Sequence, residues 1–157
     1  MRESILRIID GDLTDPRVTG LLETHLAVAR AQTPPESVHA LDLEGLRSPS
    51  ISLWTIWEGE TLLGTGALKR LDAQHGEIKS MHTLQAERGK GIGSAMLHHI
   101  MAVAKARGMT RLSLETGAFA DFAAARALYR RHGFLECGPF GDYRDDPNSV
   151  FMTRILG

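Results

Sequence analysis

Glu77-Ile78-Lys79-Ser80-Met81-His82-Thr83-Leu84, then Gln85-Ala86-Glu87, then Arg88-Gly89-Lys90-Gly91-Ile92-Gly93-Ser94 is the stretch on which the reading of this chain turns. The first eight residues read as a strand, and the glycines open a long helix. Glycine lets the backbone turn tightly and lets a ligand approach it closely, while a first helical turn presents unpaired N–H groups and the positive end of the helix dipole. That combination suits a phosphate-bearing ligand. A P-loop requires G-x-x-x-x-G-K-[ST], and no Lys-Ser or Lys-Thr pair stands at that spacing here. A dinucleotide turn requires G-x-G-x-x-G, but Ser94 occupies the third position after Gly91. The plainer alternative is a glycine-rich helix start with no ligand.

Upstream of this stretch, Ile51 to Trp57, Thr61 to Leu71 and Glu77 to Leu84 read as three strands joined by short turns, an antiparallel meander. Before them, Ser4 to Ile9 reads as a strand. Asp15-Pro16 reads as a helix start, with Leu21, Leu22, His25, Leu26 and Ala29 at helical spacing. Pro34-Pro35 stops that helix, and Glu36 to Leu46 is expected to hold a second short helical piece. Downstream, Ile92, Ala95, Met96, Ile100 and Val103 mark the apolar face of a helix ending at Gly108, and Thr110 to Glu115 is a strand. A second helix over about Phe122 to His132 ends at Gly133, followed by strands at Phe134 to Glu136 and Ser149 to Ile155. This order predicts an α/β (α+β) chain on a central mixed, mostly antiparallel sheet of about six or seven strands, with helices on both faces.

With 157 residues and 43% hydrophobic content the chain is expected to form one domain over 1–157. Its 18 basic and 19 acidic side chains leave a formal charge of −1, which disfavours a nucleic-acid partner. A single cysteine, Cys137, permits no intramolecular disulfide and no cysteine metal cluster, so a reducing, cytoplasmic setting is expected. Met1-Arg2-Glu3-Ser4 does not read as a signal peptide, and no apolar run reaches the ~20 residues that span a bilayer.

Arg88, Gly91 and Gly93 satisfy R-x-x-G-x-G, and Leu128-Tyr129-Arg130-Arg131-His132-Gly133-Phe134 satisfies L-Y-x-x-x-G-F. In this order the two motifs resemble the GNAT superfamily of N-acetyltransferases, from about Ile51 to Phe134 and on into the last strand. Ser37-Val38-His39-Ala40-Leu41-Asp42, Leu114-Glu115-Thr116-Gly117 and Ser149-Val150-Phe151-Met152 are similar to the bacterial YsnE-type subfamily. The resemblance implies acetyl-coenzyme A as co-substrate, an amine acceptor and direct transfer without an acyl-enzyme; with no supporting carboxylate or cysteine pattern, no metal is expected. It places the cofactor on Met81, Thr83, Arg88, Gly89, Lys90, Gly91, Ile92, Gly93 and Ser94, with a backbone amide, that of Met81, facing the thioester carbonyl. A homodimer is the oligomer such small members often form.

Acetyl transfer needs a neutral amine, an oxyanion stabiliser and a proton for the departing thiolate. Glu77 stands eleven residues before Arg88, the spacing at which histone-acetylating relatives carry their general base. Strand alternation puts 77, 79, 81 and 83 on one face. The alternative for Glu77 is a solvent-facing strand residue paired with Lys79. Tyr129 matches the tyrosine that protonates the thiolate in many relatives, against a tyrosine that only packs on the cofactor. Phe122 stands where many members have asparagine, and Gln85 or Ala86 where many have proline. A pantetheine contact is therefore lost, or supplied by Thr116.

Acceptor recognition is expected from Pro34 to Leu46 and Phe140 to Asn148, where Tyr143, Asp142, Asp145 and Asp146 could attract a cation, with His39 and Glu115 as further pocket candidates. Cys137 reads as a small buried residue, and His98 and His99 as packing or surface residues. The competing function is a non-catalytic coenzyme A-binding sensor or interaction module.

Overall fold

The computed structural model describes residues 5–84 and 89–157. Strand β1 (Leu6–Asp10) leads into helix α1 (Pro16–Gln32), whose first turn is closed by Asp15, its carboxylate accepting from the Arg17 amide. The proline at the next position loses nothing there, because its missing N–H would have had no helical partner. The expected helix over 36–46 is instead a 3-10 turn (Pro35–Ser37), an extended segment, and a one-turn helix α2 (Leu43–Leu46) capped by Asp42. Strands β2 (Ile51–Glu58), β3 (Thr61–Arg70) and β4 (His75–Thr83) form the meander. Helix α3 (Ile92–Ala106) crosses to β5 (Arg111–Gly117), and helix α4 (Ala123–Arg131) precedes β6 (Leu135–Cys137) and β7 (Ser149–Ile155). Gly108 and Gly133, at φ 84° and 86°, take the left-handed conformation that ends α3 and α4.

The seven strands lie in the order β1-β2-β3-β4-β5-β7-β6, antiparallel except for β4 beside β5. A parallel neighbour requires a crossover, and α3 supplies it. Two apolar clusters cover the two faces. On one, Met96, Leu97 and Ile100 of α3 pack with Leu68, Ile78 and Leu114; on the other, Val18, Leu21 and Leu22 of α1 pack with Leu53, Trp57 and Ala67. Strand alternation divides the two tryptophans of β2 between these clusters: Trp54 meets His99 of α3, and Trp57 lies under the Arg17 guanidinium of α1.

Two irregularities at the centre of the sheet create the site. Parallel pairing of β4 with β5 stops at Ile78 and Leu114, after which β4 stays with β3 and β5 stays with β7. In the same place the β3–β4 register jumps from Ala67↔Lys79 to Thr65↔His82, so Gly66 faces both Ser80 and Met81. This β-bulge reverses the alternation. Glu77, Lys79 and His82 share the α1 face, while Met81 packs toward α3 and Thr83 lies opposite Gly64, which also faces α3. The single face expected for 77, 79, 81 and 83 is thus split in two, because one extra residue shifts the period-two pattern by one.

Candidate active site

Two cavities meet where β4 and β5 part. The outer cleft, about 720 Å³, is lined by Gly89, Gly91, Ile92, Gly93 and Ser94 at one end and by Met81, Thr83 and Tyr129 at the other. Gly91 is the N-cap of α3 with φ 82°, has no capping side chain, and would point a Cβ into open space. By contrast α1 and α2 are capped by aspartates. No N-cap side chain therefore bonds the first N–H groups of α3, which begins at the cleft. Gly93 allows α3 to lie close to α4, since a Cβ there would meet Leu128 Cδ2 at 3.0 Å. The Lys90 side chain is exposed. Arg88 falls outside the described residues, as do Gln85 and Ala86.

The inner cavity, about 140 Å³, is bordered by His39, Lys79, Ser80, Glu115, Thr116 and Tyr129. Met81, Phe122, Tyr129 and His25 border both spaces. Tyr129 is buried, and burial followed by the Glu115 charge pushes its phenol well above the ordinary value of 10.0. Burial also raises the Glu115 carboxyl, opposed by the Ser149 hydroxyl, which donates to Oε2 at 2.6 Å. Glu115, weighed in the sequence only as a pocket candidate, thus shares the inner wall with Tyr129. Thr116 borders the inner cavity and not the outer cleft, and the Phe122 ring seats against Gly117, where a Cβ would come within 2.2 Å of it.

Glu77 is not at that wall. It is 3% exposed, and its Oε2 accepts from the Tyr143 hydroxyl at 2.5 Å and from Lys79 Nζ at 3.1 Å. Lys79 also donates to the Tyr143 oxygen at 3.0 Å and to the His39 carbonyl at 3.3 Å. Glu77 itself does not border the inner cavity, but it is bonded to Lys79, which does. Burial, with Glu77 beside it, pushes the Tyr143 phenol far up, so it serves as a donor. The Lys79 pairing weighed in the sequence is present, but the glutamate is buried and not solvent-facing.

The β6–β7 loop carries Tyr143, and none of its residues borders either cavity. Ser37 Oγ donates to Asp146 Oδ2 at 2.5 Å, and Asn148 Nδ2 donates to Ser37 Oγ at 3.2 Å, which ties the loop to the 3-10 turn. Asp142 and Asp145 are exposed and border neither cavity. A further contact, invisible in the sequence, joins His25 of α1 to His82 of β4 with Nδ1 atoms 3.2 Å apart. Burial, then His82, lowers His25 to about 4, leaving it neutral at ordinary pH. Cys137 is half-buried, and burial raises its thiol. Among the described residues no helix is long and apolar enough to cross a membrane, and no group of three or more His, Cys, Asp or Glu residues is placed to hold a metal.

Residues 19–134 match the family model for the acetyltransferase (GNAT) family. The chain is 53% identical to the uncharacterized N-acetyltransferase YsnE of Bacillus subtilis (strain 168), over 92% of this chain and 96% of that one. It is 50% identical to the uncharacterized N-acetyltransferase YedL of Escherichia coli (strain K12), over 92% of this chain and 91% of that one. A solved protein of Klebsiella pneumoniae subsp. pneumoniae MGH 78578, proposed to be an acyl-CoA N-acyltransferase, superimposes with a TM-score of 0.80 at 30% identity, over 99% of this chain and all of the other.

Proposed function

The chain belongs to the GNAT family of acetyltransferases, and from that premise we propose that it moves the acetyl group of acetyl-coenzyme A directly onto an amine. The observation that carries the reading is the junction of the two cavities at Met81 and Tyr129. One leads to a helix start that suits a pyrophosphate, the other to a carboxyl that suits an amine. The residues fit the co-substrate: Gly91 leaves the space of a missing Cβ open, and α3 begins without a side-chain cap. Backbone N–H groups of Gly89, Lys90, Gly91, Ile92, Gly93 and Ser94 would receive the pyrophosphate, and the β4 backbone at Met81 and Thr83 the pantetheine arm. The co-substrate supplies an activated acyl carbon.

In this reading Glu115 takes the proton of the attacking amine. The amine nitrogen bonds to the acyl carbon, the carbon–sulfur bond breaks, and the Tyr129 O–H gives its proton to the departing sulfur. A raised Glu115 is a stronger base than an ordinary carboxylate, and a raised Tyr129 remains protonated until that step. Glu77 acts at one remove, holding Tyr143 and Lys79, of which Lys79 borders the inner cavity. The test is calorimetric titration with acetyl-coenzyme A, with Gly91→Glu as control, followed by an amine panel read by thiol release. Saturable binding lost in Gly91→Glu is expected. Absence of binding to the unmodified protein would overturn the reading.

A further inference from the structure

Ser80 combines three features that the machinery above leaves unused. Among the described residues it is the single non-glycine residue with positive φ, 53°, a conformation that costs an L-residue free energy. It is 8% exposed, and its Oγ is buried with no hydrogen-bond partner. Burying a hydroxyl unpaired is unfavourable, so the fold carries two separate costs at one residue. Its backbone is held from outside: the Ser80 carbonyl accepts from the Thr65 hydroxyl at 2.8 Å. Finally, Ser80 borders the inner cavity, at the bulge where β4 leaves β5 and immediately before Met81.

A glycine would satisfy this backbone without strain and would leave no orphan hydroxyl. The presence of serine calls for a partner absent from the protein itself. We propose that the Ser80 hydroxyl is a second hydrogen-bond donor to the thioester carbonyl oxygen of bound acetyl-coenzyme A, acting beside the Met81 amide. The proposal rests on the acetyl-transfer reading. To reach that oxygen the buried Oγ would have to turn toward the cavity that the residue already borders. Two donors on one oxygen stabilise the negative charge that develops there as the amine attacks, and the bond costs little to make because no internal partner has to be given up. The donated proton stays on serine, so the group transfer is unchanged in its atoms and electrons.

The test compares the unmodified protein with Ser80→Gly and Ser80→Ala. Gly removes both the hydroxyl and the φ penalty, so Ser80→Gly is expected to melt no lower than the parent. Bound acetyl-coenzyme A carrying a carbon-13 carbonyl is read by difference infrared spectroscopy, with affinity measured calorimetrically. In both variants binding is expected to remain saturable, weakened no more than the loss of one hydrogen bond implies, while the carbonyl stretch moves to higher wavenumber. Slow acetyl transfer to water, read as thiol release, is expected to fall by about 10². An unmoved carbonyl band in variants that still bind would overturn the role of Ser80 and leave the acetyl-coenzyme A site standing. Failure of the unmodified protein to bind would overturn the site itself, and the proposal with it.

Discussion

Glu115, Tyr129 and Glu77 differ in what each can lose. Tyr129→Phe removes one oxygen and keeps the ring that packs against Phe134 at 6.0 Å, so turnover is expected to fall by about 10² to 10⁴ while acetyl-coenzyme A affinity holds, in parallel kinetic and calorimetric measurements. For Glu115 the sign follows from its raised pKa. A base must be unprotonated, so kcat/KM is expected to fall with acidification along a limb centred above the ordinary carboxylate value of 4.5. That limb should disappear from the residual activity of Glu115→Gln in a pH–rate profile. Glu77 should behave differently, because its removal strands a Lys79 that is 9% exposed. Glu77→Ala is expected to cost about 3–5 kcal/mol in denaturant unfolding. Glu77→Gln, which keeps an oxygen for Tyr143, should retain far more turnover than Glu115→Gln.

At the scale of elements, the strap between the 3-10 turn and the β6–β7 loop depends on Asp146, which takes one bond from Ser37 and one from the Asn148 amide. Asp146→Ala is expected to speed amide exchange at 35–39 and 142–149 while leaving α3 protected, a pattern that hydrogen exchange resolves. Most elements were legible because their signals are local. Asp15-Pro16, the α3 face, Gly108 and Gly133 each declare themselves within one or two turns of chain. The bulge at Ser80 was not legible, since it exists only as a register jump against β3 and nothing in Lys79-Ser80-Met81 announces it. The position of Glu77 was lost with it. Glu77 meets Tyr143, 66 residues away, and His25 meets His82 across 57, contacts that only the assembled sheet brings together. The glycine turn and Tyr129 stood out by motif spacing because each motif is contiguous, and both border the outer cleft.

For the molecule as a whole, partly buried histidines tie stability to pH. His25 is lowered by burial, so the unfolded chain binds a proton that the folded chain refuses between its ordinary value of 6.5 and about 4. More protons on the unfolded side means stability rises with pH in that window and is lost on acidification through it. The slope is at most about 1.4 kcal/mol per pH unit for one group. His75, His99 and His132 are lowered too, burial being the first cause in each, and contribute with the same sign. His25→Phe is expected to reduce the slope in denaturant unfolding repeated from pH 7 to pH 4. Trp54 and Trp57, the chain's two tryptophans, lie on opposite faces of β2, so each layer carries its own fluorophore. Trp57→Phe leaves emission from the α3 side and Trp54→Phe leaves emission from the α1 side. If both layers melt as one cooperative unit, their emission curves superimpose when normalised; if α1 peels away first, the Trp57 signal moves at lower denaturant and the order of events becomes visible as colour.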